Sequence, residues 1–186
     1  IYLCDDGNRQ EMRELAERMG VNYIDMPKPE FAKAGNMNNA LRQTHSPLVA
    51  FLDADMIPRR ELLTTLVPSF FLPRVKKNES GEWVARAPEE IDPKYKVGFV
   101  QTPQNFYNPD LFQYSLYAED RIPNEQIYFF RELNVARNRS NATHMCGSNM
   151  VISREALEEV GCFATNNITE DHETGIKIQT AGYTTY

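Results

Sequence analysis

Cysteine is scarce in this chain of 186 residues: Cys4, Cys146 and Cys162 are odd in number, widely spaced and form no C-x-x-C pair. That argues against a disulfide framework and a cysteine zinc site, and it suits a reducing compartment. No run approaches the roughly 20 apolar residues of a bilayer span, and no basic segment leads into an apolar one at the start, so neither a membrane helix nor a secretory leader is expected within these residues. Base is not in excess either. Lys and Arg number 20 against 26 Asp and Glu, a net charge of −6, which argues against nucleic acid as the principal partner. Four N-x-S/T triplets, at Asn78, Asn138, Asn141 and Asn167, are read as chance matches rather than glycan acceptors.

What the chain does have is length and apolar content, at 41% hydrophobic, sufficient to bury a core, and the expectation is one domain over residues 1–186. "IYLCDDG" reads as a strand. Met12, Leu15, Ala16 and Met19 then recur at helical spacing between Asn8, placed to cap, and Gly20, placed to stop. "VNYID" is a short strand, "NMNNALRQ" a helix and "LVAFL" a strand, followed by "RRELLTTLV", a helical stretch interrupted by Pro68. Residues 73–96 are polar and predict an exposed excursion with a hairpin around Gly81. "VGFVQ" (97–101) and "NMVIS" (149–153) are strands, Ile127, Phe130 and Leu133 mark a packed helix, and the last two helices close at Gly161 and Gly182. This alternation predicts an α/β fold around a central, mostly parallel sheet. The first and last residues, "IYLC" and "GYTTY", read as strands cut in mid-course, so truncation at both ends is expected.

Two strands end in acid, at Asp5-Asp6-Gly7 and at Asp53-Ala54-Asp55. Ligands of open α/β sheets gather beyond the carboxyl ends of strands. Converging carboxylates repel unless a cation lies among them, and oxygen-only ligands select a hard ion such as Mg²⁺ or Mn²⁺, which typically shares one or two carboxylates with substrate phosphates. Each acid alone would also serve as a turn or helix cap; the doubled occurrence favours a metal that bridges protein to a diphosphate. "KAGNMNNAL" (33–41) adds the cation of Lys33 and, at Gly35, a close backbone approach ahead of a helix N-terminus that attracts phosphate. In "TEDHETGI", Glu170 and Asp171 occupy the first turn of a helix, where acids are favoured by the dipole, and an ionised carboxylate there is also a candidate general base. His172, one residue on, turns about 100° away from Asp171 and reads as packing or solvent-facing. Tyr107 and Tyr114 offer sugar-stacking faces but are read first as surface or core packing.

Six blocks, "DDG" (5–7), "KAGNMNNAL" (33–41), "DADM" (53–56), "VQTPQNFYNPD" (100–110), "CGSNMVISREALEEVGCF" (146–163) and "TEDHETGIKIQTAGY" (169–183), occur in an order that resembles processive family-two glycosyltransferases, and most closely the catalytic domain of bacterial cellulose synthases. The resemblance covers nearly the whole chain. It implies a GT-A-like nucleotide-sugar-binding fold, a UDP-sugar donor, a polysaccharide acceptor and inverting transfer, of glucose in the cellulose synthases. By motif, Asp5 or Asp6 would meet the uridine part, Lys33 the diphosphate, and Asp53 and Asp55 would bind UDP through Mg²⁺ or Mn²⁺. Asp171 would be the general base, and Cys146, Gly147 and Glu170 would lie at the acceptor. It also implies a parent chain with membrane helices, working at the cytoplasmic face of the plasma membrane. The family usually carries two aromatics before Cys-Gly-Ser where this chain has His144 and Met145. Two other readings are a non-catalytic nucleotide-sugar-binding module and a Mg²⁺-dependent phospho-accepting receiver domain, though the latter leaves the T-E-D block unexplained.

Overall fold

The computed structural model describes residues 1–186, apart from the side chain of Glu125. Strand β1 (Tyr2–Asp5), helix α1 (Gln10–Met19) and strand β2 (Asn22–Asp25) form a β-α-β unit whose strands pair in parallel, Tyr2 opposite Asn22 and Asp5 opposite Asp25. Helix α1 turns Ala16 inward and ends at Gly20, as its pattern predicts. Its predicted cap differs. Asn8 reaches across to β2 instead, its Nδ2 donating to the Met26 carbonyl and its Oδ1 accepting from the Met26 N–H, each at 3.1 Å. Arg9 holds the cap position.

Helix α2 (Ala32–Gln43) begins earlier than its apolar pattern suggests, which puts Lys33 in its first turn rather than in a preceding loop. Gly35 is the local reason: a Cβ there would lie 1.8 Å from the Glu30 carbonyl oxygen, so only glycine lets that carbonyl cross the first turn. The far end of α2 is tied down by buried Arg154, whose guanidinium donates to the carbonyls of Ser46 and Leu41 and to Thr44 Oγ1. These bonds hold the helix that carries Lys33 against the strand that leads to Asp53.

That strand, β3 (Leu48–Phe51), lies in a four-stranded sheet of order β3-β7-β6-β8, with β6 (Val97–Gln101), β7 (Met150–Ser153) and β8 (Thr184–Thr185). The expectation of a mostly parallel sheet is corrected here to a mixed one: β7 runs antiparallel to both its neighbours, and β6 and β8 alone are parallel. Alternation along the chain shows that strands and helices take turns but not the direction in which each strand enters the sheet. The consequence is functional. Met150, the first residue of β7, stands opposite Phe51 and Gln101, so β7 begins where β3 and β6 end. Residues 146–149 are thereby delivered to the same edge as Asp53.

The core lies under this sheet, where Phe99, Met145, Met150, Ile152, Leu157, Phe163 and Ile178 are almost fully enclosed. Each such side chain contributes about 1.5–3 kcal/mol on burial. Helices α7 (Arg154–Glu159) and α8 (Glu170–Thr180) cover one face, and Gly175 lets α8 close on Met145. Short helix α3 (Leu62–Leu66) runs into a 3₁₀ turn (Val67–Arg74) with Pro68 near its start. The predicted hairpin is present as β4 (Val75–Lys77) and β5 (Trp83–Ala85), Val75 opposite Ala85. Helix α4 (Leu111–Ser115) carries a capping box between Asp110 and Gln113; Tyr107 ahead of it and Tyr114 within it are exposed, on the surface and not in the core.

The aromatic segment expected as one helix is α5 (Glu125–Tyr128), a π-helical turn (Phe129–Asn134) and α6 (Val135–Asn138). The wider turn brings Asn134 inward, where its Oδ1 accepts the His144 N–H at 2.7 Å and its Nδ2 donates to the His144 carbonyl. Phe130 is buried as expected, while Leu133 is exposed. Among the described residues no helix is long and apolar enough to cross a membrane.

Candidate active site

The strand-end acids separate into two kinds. Asp5 is 2% exposed, and its carboxylate accepts from the backbone N–H groups of Gly7 and Arg9, the Arg9 guanidinium and the Tyr23 hydroxyl. The Arg9 guanidinium leads these partners in holding the carboxyl well below the usual carboxylate range, against burial that opposes it. With its lone pairs engaged, Asp5 shapes the loop after β1, and exposed Asp6 is the member of the pair open to a ligand.

Asp53 and Asp55 follow β3 in a turn closed by the Met56 N–H on the Asp53 carbonyl. Asp53 pairs with Lys33 at 2.5 Å, both side chains more than a third exposed, and Asp55, two residues on, is exposed. The backbone N–H of Asp53 donates to Ser148 Oγ at 2.9 Å, which fixes the D-x-D turn to the segment entering β7.

That segment is a three-residue turn. The Ser148 N–H donates to the Cys146 carbonyl at 2.8 Å, and Gly147 between them has a φ of 69°, the left-handed region that glycine enters without a steric penalty. A Cβ at Gly147 would stand 3.0 Å from Asp171 Oδ2 and 3.3 Å from Lys33 Nζ. The bare glycine therefore lets the α8 carboxylate and the α2 ammonium approach one spot on the sheet edge. Asp171 accepts the N–H of His172 through Oδ1 at 2.7 Å, which leaves Oδ2 toward that spot, and half-buried Glu170 precedes it. Lys33, Asp53, Gly147 and Asp171, 138 residues apart at the extremes, thus meet in one place.

Cys146 does not join this centre as a nucleophile. Burial first, then the charge of Asp171, pushes its thiol up to about 12. His144 and His172 stack with ring centroids 4.2 Å apart, so His172 packs as expected of its helical position, and its partner is one that the sequence does not disclose. Burial, helped by His172 and Arg137, lowers the His144 imidazole below its ordinary range. The pair flanks a cavity of about 300 Å³ shared with Arg137, Thr143 and Gln179.

For a metal, the donor set is two carboxylates on one short turn, and no cluster of three or more His, Cys, Asp or Glu stands ready among the described residues. That suits a hard divalent ion which takes one or two protein carboxylates and completes its shell from phosphates and water, and it does not suit a zinc site.

The fold and this edge define a GT-A-type glycosyltransferase architecture. The superposition that supports the class is with a mannosyltransferase from Pyrobaculum calidifontis solved with GDP-Man and Mn²⁺: TM-score 0.63 over 99% of this chain and 44% of that one, at 20% identity. The profile of glycosyltransferase-like family 2 matches residues 1–186, and the chain belongs to that family. It is 37% identical over 185 residues to the cellulose synthase catalytic subunit [UDP-forming] of Xanthomonas axonopodis pv. citri and 35% to that of Pseudomonas fluorescens, in each case over 100% of this chain. Cellulose synthase 1 of Komagataeibacter xylinus is 34% identical over the same length. The chain spans 22% of the Xanthomonas protein and 11% of the Komagataeibacter one.

Proposed function

We propose that this chain is the catalytic part of an inverting glycosyltransferase that moves glucose from a UDP-sugar to the end of a β-linked polysaccharide. The observation that carries the reading is the meeting of Lys33, Asp53 and Asp171 around Gly147, a cationic and acidic donor side facing a free carboxylate oxygen. The match over the whole of this chain to a part of cellulose synthase catalytic subunits supports UDP as the nucleotide and a glucan as the acceptor. Three free cysteines suit work in a reducing compartment, and on this reading the parent protein acts at the cytoplasmic face of the plasma membrane.

In this reading the acceptor hydroxyl oxygen attacks the anomeric carbon from the face opposite the phosphate. The new C–O bond forms as the bond between the anomeric carbon and the β-phosphate oxygen breaks. UDP leaves with the electron pair, and the hydroxyl proton passes to Asp171 Oδ2. Lys33 turns its ammonium to the diphosphate, where negative charge accumulates. Asp53 and Asp55 would hold Mg²⁺ or Mn²⁺, which neutralises charge on the diphosphate when bound. Asp6 meets the nucleoside, while Cys146, Gly147 and Glu170 border the acceptor.

Calorimetric titration with UDP, in Mn²⁺ or Mg²⁺ and then in EDTA, tests the donor side: metal-dependent binding is expected, lost in Asp53→Ala and Asp55→Ala with the thermal midpoint little changed. Asp171→Asn keeps UDP binding and abolishes UDP release from UDP-glucose in the full-length protein. Equal loss of binding in all three variants would refute this division of roles.

A further inference from the structure

We infer that Gln101 is a positioning residue for the transfer: it sets the turn at Gly147 and, through that turn, the placement of the Asp171 carboxylate relative to Lys33. This rests on the glycosyltransfer reading above. Gln101 ends β6 and is 9% exposed, and its amide grips the turn on both sides of Gly147. Oε1 accepts the Cys146 N–H at 2.9 Å, while Nε2 donates to the Ser148 carbonyl at 2.8 Å and to the Thr102 carbonyl at 3.0 Å.

The arrangement needs a primary amide. The turn offers a donor on one side and an acceptor on the other, so a carboxylate would keep the first bond and repel the Ser148 carbonyl, and an apolar chain would lose both. Gln104 adds only longer contacts, 3.3 Å to the Cys146 carbonyl and 3.4 Å to that of Ser148. Ser148 carries the turn's setting to the donor side by accepting the Asp53 N–H, and bare Gly147 carries it to Asp171 and Lys33. A buried polar side chain between β6 and β7 would otherwise be a liability in the core. Here each end of its amide is satisfied by the backbone of the turn.

The experiment is a double-mutant cycle in the native full-length protein with Gln101→Met and Gly147→Ala, reading kcat for UDP release from UDP-glucose, UDP affinity in Mn²⁺, and amide exchange at Cys146 and Ser148. Gln101→Met should lower kcat about a hundredfold, the scale of a misplacement near 1 Å, and speed exchange of the Cys146 amide. UDP affinity should fall by much less than kcat, since Gln101 touches no donor-side charge and reaches Asp53 only through the single Ser148 hydroxyl bond to its backbone N–H. Gly147→Ala should lower kcat similarly, and the double variant should fall little further, because both displace the same Asp171 carboxylate, one by shifting the turn and the other by placing a Cβ 3.0 Å from its Oδ2. Gln101→Glu, which keeps the Cys146 bond, should fall between wild type and Gln101→Met. Additive losses in kcat, or a loss confined to UDP affinity, would overturn the inference. No UDP release by the wild-type protein would overturn the glycosyltransfer reading instead. Amide exchange then still decides whether Gln101 sets the turn, and unchanged exchange in Gln101→Met overturns that.

Discussion

In the proposed donor site Lys33 occupies the carboxylate that a metal would need, and this makes its removal informative in two opposite directions. The Lys33 ammonium lies 2.5 Å from Asp53 Oδ1, with side-chain exposures of 40% and 38%. An ion pair so accessible to water stabilises the fold by about 1 kcal/mol or less. Lys33→Met should therefore leave the thermal midpoint within about 4 °C of the wild type. The same quantity is what Mn²⁺ must displace in the absence of nucleotide, so losing the competitor should tighten Mn²⁺ binding by up to about fivefold. With UDP present the sign reverses. Lys33 is freed to donate to a phosphate oxygen, a charge-assisted bond of about 1.5–3 kcal/mol, so Lys33→Met should weaken UDP binding at saturating Mn²⁺ by about ten- to a hundredfold. Paramagnetic resonance of free Mn²⁺ measures the first quantity and calorimetry the second. Mn²⁺ and UDP affinities falling together would mean that Lys33 organises the acids rather than competing for them. Unchanged values for both would remove Lys33 from the site.

Three further outcomes follow from local geometry. The folded-state carboxyl of Asp5 is held low, so its stabilisation is complete above the ordinary carboxylate range near pH 4 and is lost as pH falls below it; the drop in urea midpoint between pH 7 and pH 3 should be smaller in Asp5→Asn than in the wild type, and equal drops would refute the role assigned to its partners. The Cys146 thiol, pushed up to about 12, should react with iodoacetamide at pH 8 about a thousandfold more slowly than an ordinary cysteine, and rapid labelling would mean the turn is more open than described. Gly35→Ala would force a Cβ against the Glu30 carbonyl and should destabilise by about 1–3 kcal/mol, read as a fall in thermal midpoint; an unchanged midpoint would mean the first turn of α2 relaxes freely.

By itself the sequence determined what depends on neighbours along the chain. Helix α1 and its glycine stop, the hairpin at Gly81, the acids at the ends of β1 and β3, and the acids opening α8 were all legible, because apolar spacing, turn chemistry and strand-end position are local properties. Tertiary structure alone decided which of those groups meet. Asp5 and Asp6 are adjacent and chemically alike, yet one is spent on Arg9, four positions on, and on Tyr23, 18 positions on across the β1–β2 pair, while the other faces water. The antiparallel entry of β7 brought Gly147 to the edge where β3 ends, and no periodicity records strand direction. The grip of Gln101 and the stacking of His144 on His172 likewise join residues 45 and 28 positions apart. The single "Q" of "VGFVQ" is a polar residue at a strand end, and the signal that distinguishes it, a buried amide with both ends satisfied across a turn, exists only once β6 and β7 lie side by side.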